Sequence, residues 1–216
     1  MAADDRGALL ADAEYLEVPV GQTLASAGDP ISDIYFPDGG VLSMLSTMKS
    51  GHQIAVAAVG AEGMIGLGQL FGIARYPLSV IALVESRGYR VTADRLRRIF
   101  DSSETARRVM LARAGVLMQE LVTTAACNRV HSHRQRLARW LLTTTDKARQ
   151  ASLPVTHETL AQMVGGPRHA VTVALNELRA KGALAHLRGR IEILERSVLT
   201  AQACECYAAA ATAATA

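Results

Sequence analysis

Four polar side chains, Arg168, His169, Thr172 and Asn176, lie close together in a stretch whose other positions are largely apolar. At helical spacing they form a front, with Val171, Ala174, Leu175 and Leu178 as an apolar back. An arginine in the first turn of such a helix suits a bidentate pair with guanine. Thr156 and His157 open the helix before it, where a hydroxyl, a ring and unpaired backbone N–H groups suit a phosphate. Arg188 and Arg190 flank Gly189 at a hairpin tip and suit the nucleic-acid backbone.

Other reactive side chains are sparse. No serine or cysteine has a visible base and orienting group, so no catalytic residue and no enzyme is expected. Gly66 to Gly72 reads G-x-G-x-x-x-G, which is not the dinucleotide-binding spacing, and no βαβ unit surrounds it. Cys127 falls on a long helix, whereas Cys204 and Cys206 form an isolated C-x-C pair. They read as reduced thiols, and His131 and His133, two apart, do not share a helix face. No metal site and no cofactor is therefore expected. His52 and the Asp4-Asp5 pair read as a surface loop and a frayed end.

Residues 15–91 are expected to form short strands: Leu16–Val20, Ile34–Phe36, Val41–Leu45, Ile54–Val59, Ser79–Val84 and Tyr89–Val91. Turn residues separate them, among them Pro37-Asp38-Gly39-Gly40 and Arg87-Gly88. The glycine-crowded stretch 60–72 predicts a tight bend or short helix. From Thr92 the pattern turns helical. Thr92 caps one short helix, and Asp101 or Ser102 caps a long one over about 103–129. Along it Leu111, Ala114, Met118, Leu121, Ala125 and Asn128 step by 3, 4, 3, 4 and 3, a heptad seam. That stripe packs either on the chain's own β domain or on a second copy. Leu137, Trp140, Leu141 and Thr144 then mark one amphipathic helix. HETLAQMVG, a Gly165-Gly166-Pro167 turn, RHAVTVALNELRAKG and a hairpin at Arg188-Gly189 give the order of a winged helix-turn-helix.

The charge agrees. Residues 1–130 carry 12 Lys+Arg against 14 Asp+Glu, and residues 131–216 carry 11 against 6, so the net +3 resides in the last part of the chain. The longest apolar run, about Ile54 to Val59, is far below a membrane span, and the acidic start lacks the order of a secretion signal. No membrane association and a cytoplasmic location are expected.

RLARWLL, LPVTHETLAQMVGGPRHAVTVALNELRAKG and GRIEIL resemble the C-terminal domain of the Crp/Fnr family of bacterial transcription regulators. VPVGQTLASAGDPISDIYFPDGGVLSM resembles the first strands of that family's cyclic-nucleotide-binding β-roll. The resemblance covers about residues 14–196 and implies an α+β chain. Its parts are a β-roll (jelly roll) sensor domain at 1–101, a dimerisation helix at 102–130, a winged helix-turn-helix at 131–207 and a disordered tail at 208–216. It implies a sequence-specific regulator of double-stranded DNA, acting as a homodimer on a near-palindromic site and contacting RNA polymerase. The alternative is a small-molecule-binding module whose winged helix no longer binds DNA.

The departures are specific. Where relatives that bind cyclic AMP carry Gly-Glu and Arg-Ser, this chain aligns Gly66-Leu67 and Tyr76-Pro77, with Arg75 one residue out of register. Leu67 cannot accept ribose hydroxyls, so any effector gripped by Gly66, Leu67, Arg75 and Tyr76 is expected to be something other than cyclic AMP. In the second helix of the motif the family's Arg, Glu and second Arg become Arg168, His169 and Val173, and a family Ser becomes Pro167. A different half-site is expected. Three routes of control stay open: an unidentified effector, constitutive activity set by abundance, or oxidation at Cys127, for example a disulfide between dimer mates.

Overall fold

The structure, a computed structural model, describes residues 3–209. The chain divides into two units, one containing the chain up to Met44 with Val59–Met118, the other Leu45–Ala58 with the chain from Gln119.

The N-terminal elements are α1 (Ala3–Leu10), β1 (Glu14–Val18), β2 (Thr23–Ala25), β3 (Asp33–Thr47), β4 (Gln53–Val59), a 3-10 turn (Leu67–Phe71), β5 (Ser79–Thr92) and α2 (Ala93–Ser102). The sheet order is β1-β5-β3-β4, with β2 also paired to β5. Val18, Tyr35, Leu42 and Val80 fill one apolar cluster, and Ile31, Ile34, Leu96, Phe100 and Met110 another.

β3 and β5 are each single strands, although turn-forming residues predicted a break in both. Their glycines serve close approach instead. A Cβ at Gly88 would lie 2.2 Å from the Phe36 carbonyl oxygen, and one at Gly40 would lie 2.0 Å from that of Glu85. Bare backbone lets β3 and β5 cross tightly, and the pairing outweighs local turn preference. The buried Ser86 hydroxyl donates to the Gly39 carbonyl at 3.0 Å, so the crossing leaves that hydroxyl satisfied.

The expected frayed N-terminus is helical in the described part. Leu9 is buried, and the Asp5 carboxylate accepts from the Ser103 hydroxyl at 2.8 Å. Thr92 caps α2 as expected, its hydroxyl accepting from Arg95 N. The next cap is Ser103 rather than Asp101 or Ser102, with Ala106 N donating to it at 3.1 Å. It opens α3 (Glu104–Val130).

α3 is long and apolar enough, by length and composition, to cross a membrane. No single apolar run announced this, because alanines and methionines raise the average between charges. Arg113 and Glu120 interrupt it, each costing roughly 2.5–3.5 kcal/mol at a bilayer centre. Glu120 is instead half-buried against the Lys147 ammonium at 2.9 Å.

The C-terminal unit holds α4 (His133–Ala148), β6 (Ser152–Leu153), α5 (His157–Val164), α6 (Arg168–Ala180), β7 (Leu184–Leu187), β8 (Arg190–Ile193) and α7 (Arg196–Gln202). A Ser132–Gln135 capping box starts α4, and the expected face Leu137, Trp140, Leu141 and Thr144 is buried. The hairpin is part of a three-stranded sheet, β6-β8-β7. β6 is too short to show an alternating pattern.

Gly88→Ala should destabilise the protein by roughly 1–3 kcal/mol through overpacking. Gly7→Ala, mid-helix with nothing near the new Cβ, should stabilise it by about 0.5–1 kcal/mol. Urea midpoints check both, and an unchanged midpoint for Gly88→Ala would contradict the crossing account.

Candidate nucleic-acid interface

α6 is seated by its back. Val171, Ala174, Leu175 and Leu178 are at most 3 % exposed, and Leu137, Leu141, Leu160 and Met163 of α4 and α5 are buried too. Burying a Val or Leu contributes roughly 1.5–3 kcal/mol, so the rotation of α6 is strongly specified.

The turn before α6 is equally constrained. Gly165 sits at φ 68° and ends α5. A Cβ on Gly166 would fall 2.5 Å from His133 Nε2, so any larger residue there must displace the His133 ring. Beneath the turn lies Arg136, a buried guanidinium that sequence reasoning passed over. It donates to the Gly165 carbonyl at 3.0 Å and to the Asn128 carbonyl at 3.2 Å. Both carbonyls end helices, where a cation is favoured.

The expected front residues divide. Arg168, His169 and Asn176 are exposed along α6, and Val173 joins them at 55 % exposure. Arg168 faces the exposed Glu158 carboxylate at 3.9 Å, a pair worth no more than about 1 kcal/mol. No side chain caps α6, since Pro167 occupies its N-cap.

Thr172 and His157 turn inward. The Thr172 hydroxyl donates to the Arg168 carbonyl at 3.0 Å and lies 3.1 Å from His157 Nδ1. With that proton committed, His157 Nδ1–H is the donor and Nε2 is bare. Nε2 is buried and has no hydrogen-bond partner among the described residues, and the ring lies 4.5 Å from that of His186. Thr156 spends its hydroxyl on Thr159 N at 3.1 Å. The His157–Thr172 contact ties α5 to α6, whereas the Thr156 bond closes the first turn of α5. These hydrogen bonds, invisible to composition, engage the side chains that appeared open to phosphate. In the hairpin Arg188 and Arg190 are exposed, and Arg190 donates to Ser152 Oγ at 3.0 Å.

On α3, Leu111, Met118, Leu121, Ala125 and Asn128 are exposed, as is Val122. Ala114 shares that face by spacing but is only 7 % exposed, covered within its own chain.

In the β domain a cavity of about 290 Å³ is lined by residues including Asp29, Asp33, Tyr35, Tyr76 and Arg90. Of the four residues assigned to an effector, only Tyr76 lines it. Its hydroxyl donates to the Asp33 carbonyl at 3.2 Å, and burial pushes its pKa to about 12. Gly66 is packed against Ile34 and Ile31, and Leu67 joins the core. Arg75 donates to the Gly28 carbonyl at 2.7 Å.

The cysteines also differ from expectation. Cys127 is fully buried, so it cannot meet a dimer mate, and its Sγ lies 3.6 Å from that of Cys204. Burial pushes its pKa to about 12, opposed in part by Arg139. His131 pairs with Cys206 and Glu205 rather than facing solvent. The readable signal was Cys127 and His131 at i and i+4 on one helical face.

Two family models match this chain: a Crp-like helix-turn-helix domain over residues 135–202 and a cyclic nucleotide-binding domain over 15–103. A CRP-like cAMP-activated global transcriptional regulator of Mycobacterium tuberculosis is 26 % identical over 199 residues, covering 89 % of this chain and 86 % of that protein. The structure of FixK2 from Bradyrhizobium japonicum superposes with a TM-score of 0.76 at 15 % identity, covering 89 % of this chain and 98 % of that one. That of the c-di-GMP-responsive global regulator CLP of Xanthomonas campestris gives 0.72 at 17 %, covering 89 % and 99 %. The expected β-roll and winged-helix architecture stands. The alternative of a module without DNA binding is not favoured.

Burial, His186 and Arg168 hold the His157 imidazole below its ordinary value of 6.5. As pH falls below 6.5 the unfolded chain takes up this proton first, so stability declines towards the depressed folded value and levels off beneath it. His157→Gln should flatten the decline of the denaturation midpoint below pH 6.5, and a wild-type slope in that variant would contradict the buried bare nitrogen.

Proposed function

Because the chain belongs to the Crp/Fnr family of DNA-binding transcription regulators, we propose that it works as a homodimer, setting α6 of each copy into successive major grooves of a near-palindromic site. The outward stripe of α6 carries this reading. Arg168 in its first turn reads guanine, His169 and Asn176 supply further polar contacts, and Val173 offers an apolar surface to a thymine methyl. Arg188 and Arg190 at the hairpin tip hold the phosphate backbone. Since Val173 stands where the family pattern has a second Arg, the half-site differs from the common one.

Dimerisation is supported by the exposed apolar stripe of α3, where Leu111, Met118, Leu121, Val122 and Ala125 lie open in one chain. A parallel pairing of two such helices buries it. The dimer then presents its N-terminal domains to an effector, and RNA polymerase is its partner on DNA. The site of action is the cytoplasm, where the DNA lies.

One relative is named for activation by cAMP and another for its response to c-di-GMP. Neither assignment transfers directly. The cavity here is flanked by Asp29 and Asp33, and Arg75 is spent on a backbone carbonyl. The two carboxylates outnumber the Arg90 guanidinium, which is itself paired with Glu14, so the effector is read as a neutral or cationic small molecule.

Arg168→Ala should weaken binding to the selected operator by roughly 5- to 150-fold, the loss of one bidentate base pair contact of about 1–3 kcal/mol. Binding to unrelated DNA should change little. Competition gel shifts measure both, and equal losses on the two DNAs would remove the base-reading role of Arg168.

A further inference from the structure

Outside the DNA-binding face, three cysteines and one histidine converge. We infer that Cys127, His131, Cys204 and Cys206 form a mononuclear tetrahedral site for a borderline-soft divalent cation of the zinc type. One ligand atom from each lies within 4.8 Å of all the others. Cys127 Sγ and Cys204 Sγ are 3.6 Å apart, and Cys206 Sγ and His131 Nδ1 are 3.8 Å apart. Zinc–sulfur bonds of about 2.3 Å at tetrahedral angles set sulfurs about 3.8 Å from one another, so the four atoms are near ligating positions. A multi-iron cluster interposes several metal and sulfide atoms and would spread the ligands further.

Each residue is delivered by a separate constraint. Cys127 and His131 are a helical turn apart at the end of α3, where His131 N donates to the Cys127 carbonyl at 3.0 Å. The Ser132 capping box starts a new helix immediately afterwards and fixes the His131 backbone. Cys204 and Cys206 follow α7, and Tyr207 next to them is tied to Asp146 at 2.8 Å. Two positions far apart in the chain are thereby brought to one point.

The surroundings fit a thiolate-rich metal. His131 turns Nδ1 to Cys206 and Nε2 to the Glu205 carboxylate at 3.1 Å. A ligating histidine whose second nitrogen donates to a carboxylate is the usual outer partnership of such sites. Three thiolates and a neutral imidazole leave a zinc site with one net negative charge, and the three thiol protons go to solvent. Arg136 and Arg139 act electrostatically on Cys127, and the buried Nε of each has no hydrogen-bond partner among the described residues. They are placed to balance that charge. The site would pin the last turn of α3 to the segment after α7.

The test uses the full chain, reduced, stripped with a chelator and titrated with Co²⁺. One Co²⁺ per chain should bind, with the intense visible bands of tetrahedral cobalt and a near-ultraviolet thiolate charge-transfer band, both bleached by one equivalent of Zn²⁺. Cys206→Ser should lower the charge-transfer intensity by about a third, as three thiolates become two. Glu205→Gln should keep the spectrum and weaken affinity roughly 10-fold. Absence of uptake by reduced protein with intact circular dichroism would overturn the assignment. So would an octahedral cobalt spectrum, or iron and acid-labile sulfide in the protein as purified.

Discussion

The arrangement of the C-terminal unit rests on the burial of one helix back. Val171, Ala174, Leu175 and Leu178 are nearly inaccessible in α6, and their packing against α4 and α5 fixes which residues can face outward. A rotation by one position would exchange Leu175 for Asn176 in the core and leave an amide unsatisfied, a penalty of about 1–3 kcal/mol beyond the lost burial. Arg136 adds a second constraint by holding the carbonyls of Asn128 and Gly165, so the turn that launches α6 and the end of α3 share one buried cation. The outward stripe of Arg168, His169, Val173 and Asn176 follows from what is buried behind it.

Much of this was legible in the sequence because it is written in apolar spacing. The α6 back, the α4 face and the order of helix, glycine turn, helix and hairpin follow from local pattern. What escaped depends on contacts far apart in the chain. Gly40 and Gly88 read as turns, yet their lack of a Cβ is used for the β3–β5 crossing. Ala114 fits the heptad by position but is covered by its own chain. Thr156, His157 and Thr172 have side chains suited to phosphate, but these are engaged with one another and with nearby backbone. Cys127 and His131 stand apart from Cys204 and Cys206 in the sequence, since no local pattern brings the end of α3 to the segment after α7.

The β domain keeps the family's frame while changing the residues of its cavity. Leu67 packs into the core and Tyr76 donates to a backbone carbonyl, so both positions serve the fold. Asp29, Asp33 and Arg90 line the cavity, with Arg90 paired to Glu14. The DNA-binding unit departs in the same manner: an apolar Val173 stands on an otherwise polar stripe. Both changes leave the backbone architecture intact and alter only what the exposed surfaces can recognise.

The central claim is that two copies of α6 enter the major groove, and dimethyl sulfate protection of guanine N7 on a selected operator tests it most directly, since N7 lies in that groove. The account predicts protected guanines in two symmetric patches about 10–10.5 base pairs apart, or a multiple of that spacing. Protection confined to one patch, or N7 left reactive while the backbone is shielded, would contradict it.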